Sequence, residues 1–244
     1  MTAARSSFGG LGRSFGRFLL LLVGCFLALQ VGFVVQIATL LAVDPASTTF
    51  QRSEAWRIAT SQRPLAWQQR WLDYEAISPN VKRAVIAAED AGFNEHSGVE
   101  WDALEKAWDR NQRAEARPAR VAKVVGGSTI TQQLAKNLFL AGERNFVRKG
   151  QELMLAWVME AMLGKRRILE IYLNSVEWGE GVFGVEAAAR RYFRTGAASL
   201  TAHQAAQLAV MLPAPKRFEK RPGSAYVQGR AATIAARMGA VDIP

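Results

Sequence analysis

Residues Phe18 to Val43 form an unbroken apolar stretch. Only Gln30 and Gln36 in it are strongly polar, and none of it is charged. As a helix these 26 residues reach roughly 39 Å at ~1.5 Å per residue, enough to cross a hydrocarbon layer about 30 Å thick with some tilt. The run is too long for the apolar part of a cleaved signal peptide, about 7–15 residues, and no small-x-small cleavage site follows it. The pattern therefore predicts a retained membrane anchor. Beyond Asp44, apolar positions recur at helical spacing. Val81–Ala88 show it behind Pro79, and Trp101, Leu104 and Trp108 repeat at i, i+3 and i+7. Residues 146–163 and 166–174 give two apolar-faced helices parted by Gly164-Lys165. Residues 201–212 give another, opened by the capping box Thr201-x-x-Gln204 and stopped at Pro213. No run of β-branched residues alternates as a strand would. The expected architecture is an all-α domain over residues 44–244, behind a tail (1–17) and one transmembrane helix (18–43).

Charge sets the orientation. Arg5, Arg13 and Arg17 precede the apolar run, and residues 1–43 contain no acid. The positive-inside rule then predicts a cytoplasmic N-terminus, a single pass through the inner membrane and a periplasmic domain. The whole chain carries +10, and residues 44–244 still carry +7, which favours an anionic partner. A nucleic-acid partner fits the charge but not the compartment. With 50% hydrophobic and 21% charged residues the chain is not disordered. Cys25, the single cysteine, excludes an intramolecular disulfide and a cysteine zinc site, and His96 and His203 are too few for a multi-histidine metal centre. Arg110, Arg113, Arg117, Arg120 and Lys123 stand against only Glu115 in residues 110–123. That segment reads equally as a solvated surface or as one lying on anionic headgroups.

Four clusters carry chemistry. In the first, the apolar Val85-Ile86-Ala87-Ala88 runs into Glu89 and Asp90, with Gly92 and Gly98 beyond. A carboxylate ending a buried helix is partly desolvated and becomes a better base, unless it is merely solvated there. In the second, Gly126-Gly127 precede Ser128, which can cap a helix whose apolar stripe is Ile130, Leu134 and Leu138. Thr129, Gln132, Gln133 and Lys136 make its polar stripe, with Asn137 following. A glycine-rich helix start with a nearby lysine suits a phosphate or pyrophosphate, and the amides and hydroxyls suit sugar. In the third, Arg148 and Lys149 stand one turn before Glu152, which borders an apolar run through Met159: a structural ion pair or a working acid. In the fourth, Ile168, Leu169, Tyr172 and Leu173 form a core face, and Glu170 and Asn174 are positioned to brace the site.

In this order the clusters resemble the family-51 glycosyltransferases of bacterial peptidoglycan synthesis, the polymerase domains of class A penicillin-binding proteins and their single-domain relatives. The matching patterns are Glu89-Asp90-x-x-Phe93-x-x-His96-x-Gly98, then Gly126-Gly127-Ser128-Thr129-Ile130-Thr131-Gln132-Gln133-x-x-Lys136-Asn137, then Arg148-Lys149-x-x-Glu152, then Ile168-Leu169-Glu170-x-Tyr172-Leu173-Asn174. Leu200-Thr201 with Leu208-Ala209-x-x-Leu212-Pro213 matches a fifth element, and the stretch from Glu177-Trp178-Gly179 to Tyr192-Phe193 is similar to the monofunctional biosynthetic branch. The resemblance covers about residues 75–220. Gln204 departs from it, standing where the family usually has Glu. The chain ends soon after the fifth element, so a polymerase without a transpeptidase domain is expected.

The resemblance implies a lysozyme-like helical fold with a membrane-associated jaw at about 99–125. It implies lipid II and the nascent glycan strand as substrates, with membrane lipid as a contact. Penicillin-binding or division proteins are the protein partners such a role would bring. Glu89 resembles the family's general base, with Asp90 tuning it, and Glu152 its second essential carboxylate. Lys136, Arg148 and Lys149 would draw off undecaprenyl pyrophosphate. Ser128, Thr129, Gln132, Gln133 and Asn137 would bind substrate. No cofactor is certain. A divalent cation, Mg or Mn, is the one such a reaction could use, and Glu152 the ligand it would find. A lytic glycan-cleaving enzyme would need no pyrophosphate cations, and an inactive scaffold would not need both glutamates.

Overall fold

The computed structural model describes residues 8–61, 66–101, 105, 127–140 and 145–244. The basic stretch 110–123, Leu104, Trp108, Gly126 and nearly all of the expected jaw lie outside the described residues.

Helix α1 (Phe8–Thr39) contains, among the described residues, the one segment long and apolar enough to cross a membrane, Ser14–Thr39. It starts before the expected residue 18 and stops at Thr39 rather than 43. Its outer part exposes Phe18, Leu20, Phe26 and Val31. Its last turns behave differently: Ile37 and, just beyond the helix, Leu40 are buried in the main core. Helix α2 (Thr49–Thr60) follows, capped by Thr48 in a box with Gln51. Strand β1 (Gln68–Gln69) leads to α3 (Pro79–Glu89), which opens on the Ser78 cap with Pro79 in its first turn.

Helix α4 (Ile130–Phe139) packs on α5 (Phe146–Ser175). The two apolar segments expected around Gly164 are one continuous element bent there. Gly164 adopts φ 71° and ψ 161°, which interrupts the helix at the glycine the pattern picked out. Strands β2 (Glu177–Gly179) and β3 (Val182–Phe183) form an antiparallel pair, and β1 joins β3 in parallel, giving the order β1-β3-β2. This small sheet has too few residues to show an alternating pattern, and its β2 and β3 residues are all buried.

Helices α6 (Val185–Phe193), α7 (Ala202–Met211), α8 (Pro215–Phe218) and α9 (Ala225–Arg237) complete the fold. Helix α7 opens on the expected capping box, with Gln204 bonding the Thr201 N–H at 3.0 Å. A neutral Gln can fill the N3 role of the usual Glu. Helix α7 packs against both α3 and α9, and α1 packs along α5. The core is continuous, with Trp178, Tyr172 and Phe93 fully buried within it.

Candidate active site

Glu89 is the last residue of α3. Val81, Ala84 and Val85 bury the apolar face of that helix, so its end is carried into the interior with Glu89 half-buried. Glu89 Oε2 accepts from the Gln133 side-chain amide at 2.9 Å, and Gln133 Oε1 in turn accepts from the Tyr172 hydroxyl at 3.0 Å. Burial pushes the Glu89 carboxyl above the usual carboxylate range. The Gln133 bond opposes this, the Asp90 charge reinforces it, and the Lys136 charge opposes it. Tyr172 is wholly buried and its phenol is held well above its ordinary value, so it stays a donor.

Asp90 breaks α3 at φ −163° and ψ 73°, and both its oxygens are taken. Oδ1 lies 2.8 Å from His96 Nε2, and Oδ2 accepts the Ile130 N–H of α4 at 3.0 Å. His96 Nδ1 accepts from the Gly98 N–H at 3.1 Å, so a neutral ring carries its proton on Nε2 and donates to Asp90. Asp90 thus ties the end of α3 to the start of α4, and acts on Glu89 through its charge. The expected anion cradle at that helix start meets a group of the protein itself. The first N–H of α4 holds the protein's own carboxylate, and the next cap bond is internal: Thr129 Oγ1 accepts from the Gln132 N–H at 3.2 Å.

Thr129, not Ser128, is therefore the cap of α4. Thr129 and Gln132, expected to bind substrate, are engaged within the protein. They are 3% and 1% exposed and both donate to the Gly98 carbonyl, at 2.7 and 3.2 Å. Asn137 is likewise buried, at 7% exposure, rather than on an open polar stripe. A polar stripe open to solvent needs α4 at the surface, whereas α4 packs against both α5 and α2. Gln133 and Lys136 keep access, half-buried and exposed respectively. Glu170 and Asn174 are corrected too. Asn174 exchanges bonds with the Leu72 backbone at 2.8 and 2.9 Å, and Glu170 accepts the Tyr74 N–H at 2.8 Å, so they brace the 72–74 segment.

The cationic side is built on the first turns of α5. Glu152 is 4% exposed; its Oε1 lies 2.5 Å from Lys149 Nζ and its Oε2 3.4 Å from Arg148 Nη1. Lys149 also donates to Gln132 Oε1 at 3.0 Å and Ser128 Oγ at 3.3 Å. All three of its protons are thus held in place. A single carboxylate already flanked by an ammonium and a guanidinium is a poor ligand set for a divalent cation. Among the described residues, the acid and histidine groupings close enough to share an ion, Asp90-His96-Glu100 and Glu54-Glu177-Glu180, do not include Glu152. The residues around Glu152 do not fit a resident metal.

Adjacent residues of α4 join the two halves. Gln133 holds Glu89, and Gln132 holds Lys149. An apolar cavity of about 620 Å³ lies nearby, lined by His96, Trp101, Met154 and Trp157 among others. Sequence reasoning placed Tyr172 in the core and missed that its hydroxyl orients Gln133. The only signal was a tyrosine where a purely structural site would take Phe or Leu.

A family model described as transglycosylase matches residues 57–239. Proteins named biosynthetic peptidoglycan transglycosylase are similar over most of their length. That of Burkholderia thailandensis is 52% identical over 221 residues, 91% of this chain and 84% of the relative. That of Paraburkholderia xenovorans is 52% identical over 219 residues, 90% of this chain and 89% of the relative. That of Burkholderia pseudomallei is 52% identical over 221 residues, 91% and 84% respectively. With the family's motif residues gathered on α3, α4 and α5 and a match across most of the chain, this protein belongs to the transglycosylase family.

Proposed function

We propose that the protein is a peptidoglycan glycosyltransferase that polymerises glycan chains from lipid II, anchored by α1 with its N-terminus in the cytoplasm and its domain in the periplasm. The observation that carries the reading is the α4 bridge, whose adjacent Gln133 and Gln132 bond a desolvated carboxylate, Glu89 on α3, and a fixed cation group, Lys149 with Arg148 and Glu152 on α5. A glycosidase needs the first but not the second.

In the reaction the acceptor's 4-hydroxyl gives its proton to Glu89 as its oxygen bonds to C1 of the donor. The C1–O bond to undecaprenyl pyrophosphate breaks, and the electron pair leaves with the pyrophosphate. Attack from the face opposite the leaving group inverts C1. An anionic leaving group needs cations more than a proton. Lys136, exposed on α4, and Lys149 with Arg148 supply them. Glu152 holds the two α5 cations in register, so no metal is required at its carboxylate. The exposed tryptophans of the apolar cavity, Trp101 and Trp157, suit the hydrocarbon of the carrier.

The test is gel analysis of products from the purified full-length protein with labelled lipid II, in parallel with incubation on polymeric peptidoglycan. Long chains from lipid II and no release of fragments from polymer are expected. Fragment release without polymerisation would reject the reading.

A further inference from the structure

Resting on that reading, we propose that a basic groove opening at Glu89 grips the completed part of the glycan strand through the carboxylates of its peptide stems. Glu89 forms part of the wall of a cavity of about 230 Å³ whose other walls come from α3, α7, the segment through Phe218 and α9, with none from α4 or α5. Arg217, Tyr226 and Arg230 line it. A second cavity of about 340 Å³ shares Arg217, Phe218 and Tyr226 with the first and adds Lys220 and Arg221. Together they make one groove running outward from the catalytic base. The rings of Phe218 and Tyr226 stack along it, 5.8 Å apart and within 6° of parallel, and Tyr226 is 59% exposed.

Apart from Glu89 at its inner end, no acid among the described residues lines this groove. Glu219 is the only acid from residue 215 to 237, and it is directed elsewhere. It accepts the Glu180 N–H at 3.0 Å and lies 3.9 Å from Arg191. Among the described residues Arg217, Lys220, Arg221 and Arg230 form no ion pair. Four such cations beside an aromatic platform fit a ligand that is both anionic and sugar-bearing.

Position selects the ligand. Helix α1 packs along α5, so a carrier sharing the membrane with α1 belongs on the α5 side of Glu89, where the pyrophosphate cations stand. The groove is built instead from α3, α7, α8 and α9, and its occupant has to be lipid-free. The part of the substrate that is lipid-free, adjoins the reacting sugar and carries repeated carboxylates is the strand already made, with its muramyl peptide stems.

The experiment measures binding without turnover. Full-length protein in detergent micelles is titrated into fluorescent, lipid-free glycan strands bearing free or amidated stem carboxylates. Free-stem strands should bind, and Arg217→Ala/Arg230→Ala should weaken them by about tenfold or more, as loss of charge-assisted contacts does. Arg217→Lys/Arg230→Lys should restore most of the affinity. Amidated strands should bind the wild type as weakly as free strands bind the alanine variant, an arm that needs no substitution. Equal affinity for free and amidated strands overturns the proposal. So does unchanged strand binding by an alanine variant that has lost binding to phosphatidylglycerol vesicles, which would give the groove to a lipid surface. A failed polymerase reading looks different: wild-type protein would then make no polymer from lipid II, whatever its affinity for strands.

Discussion

The Tyr172 hydroxyl, 3.0 Å from Gln133 Oε1, decides which end of that amide meets Glu89. With its oxygen committed to Tyr172, Gln133 can present only N–H to the carboxylate, 2.9 Å away. Tyr172 never needs to touch substrate to act. Tyr172→Phe frees the amide to flip and removes the one hydrogen bond that lowers the Glu89 pKa. A base with a raised pKa is lost as pH falls through that pKa, so the acid limb of the pH–rate profile should move to higher pH in Tyr172→Phe and in Gln133→Ala. A limb that stays in place while activity drops would make both residues merely structural.

Glu89→Gln should keep the fold and stop polymerisation, since a general base contributes typically ~10²–10⁴-fold. Near-normal chains from that variant in the lipid II assay would reject Glu89 as the base. The wild-type acid limb should lie above the range of an exposed glutamate, because burial is the largest influence on this carboxyl.

Lys149→Met should hurt both stability and donor use. It strips Glu152, 4% exposed, of its nearer partner and leaves only Arg148 at 3.4 Å. An under-satisfied buried acceptor costs about 1–3 kcal/mol, readable as a lower melting temperature. Glu152→Gln/Lys149→Met should melt higher than Lys149→Met alone, because the carboxylate is gone. The reverse order would show that the pair does not hold this part of the fold.

Glu177 gives a stability signature distinct from activity. It is 6% exposed, near Glu54 and Glu180, with Lys216 at 3.4 Å. Burial pushes its carboxyl from 4.5 up to about 7. The folded protein therefore holds a proton there that the unfolded chain has released, and this contribution to stability is lost as pH rises from about 4.5 to 7. Between pH 5 and 8 the melting temperature of wild type should fall relative to that of Glu177→Gln. Parallel curves would contradict the raised pKa.

Gln30, inside the apolar helix α1, exchanges amide bonds with Gln151 at 2.9 and 3.3 Å. Gln151 lies between Lys149 and Glu152 in sequence, so the anchor is fastened directly to the cation-bearing turn. A double-mutant cycle with Gln30→Leu and Gln151→Leu in detergent should give a coupling of about 0.6–1.7 kcal/mol. Strict additivity of the two melting shifts would show that the amides do not support each other.

Much of this was legible from residue pattern. The uncharged run predicted the long apolar helix, Gly164 the bend, and Thr201 with Gln204 a cap, because each rests on a local rule of length, backbone freedom or hydrogen bonding. Glu89 at the end of an apolar helix and Arg148-Lys149 one turn from Glu152 were legible for the same reason. What escaped was whatever depends on two distant elements meeting. The Ile130 N–H is filled by Asp90, forty positions earlier. Thr129 and Gln132 look free in sequence and are consumed by the Gly98 carbonyl. Arg217 on α8 and Arg230 on α9 share no local pattern, and only the fold lays them beside Glu89.

Ile37 and Leu40 lie in the same core as the catalytic helices, and Arg167 binds the Leu40 and Val43 carbonyls and the Asp44 carboxylate. The domain is consequently no kite on a string. With α1 spanning the lipid as proposed, its height above the bilayer and its heading would be dictated by that rod, and reactants would have to travel sideways in the leaflet to reach it. Any tilt of that rod, from a thicker or thinner bilayer, would swing the whole catalytic cleft with it.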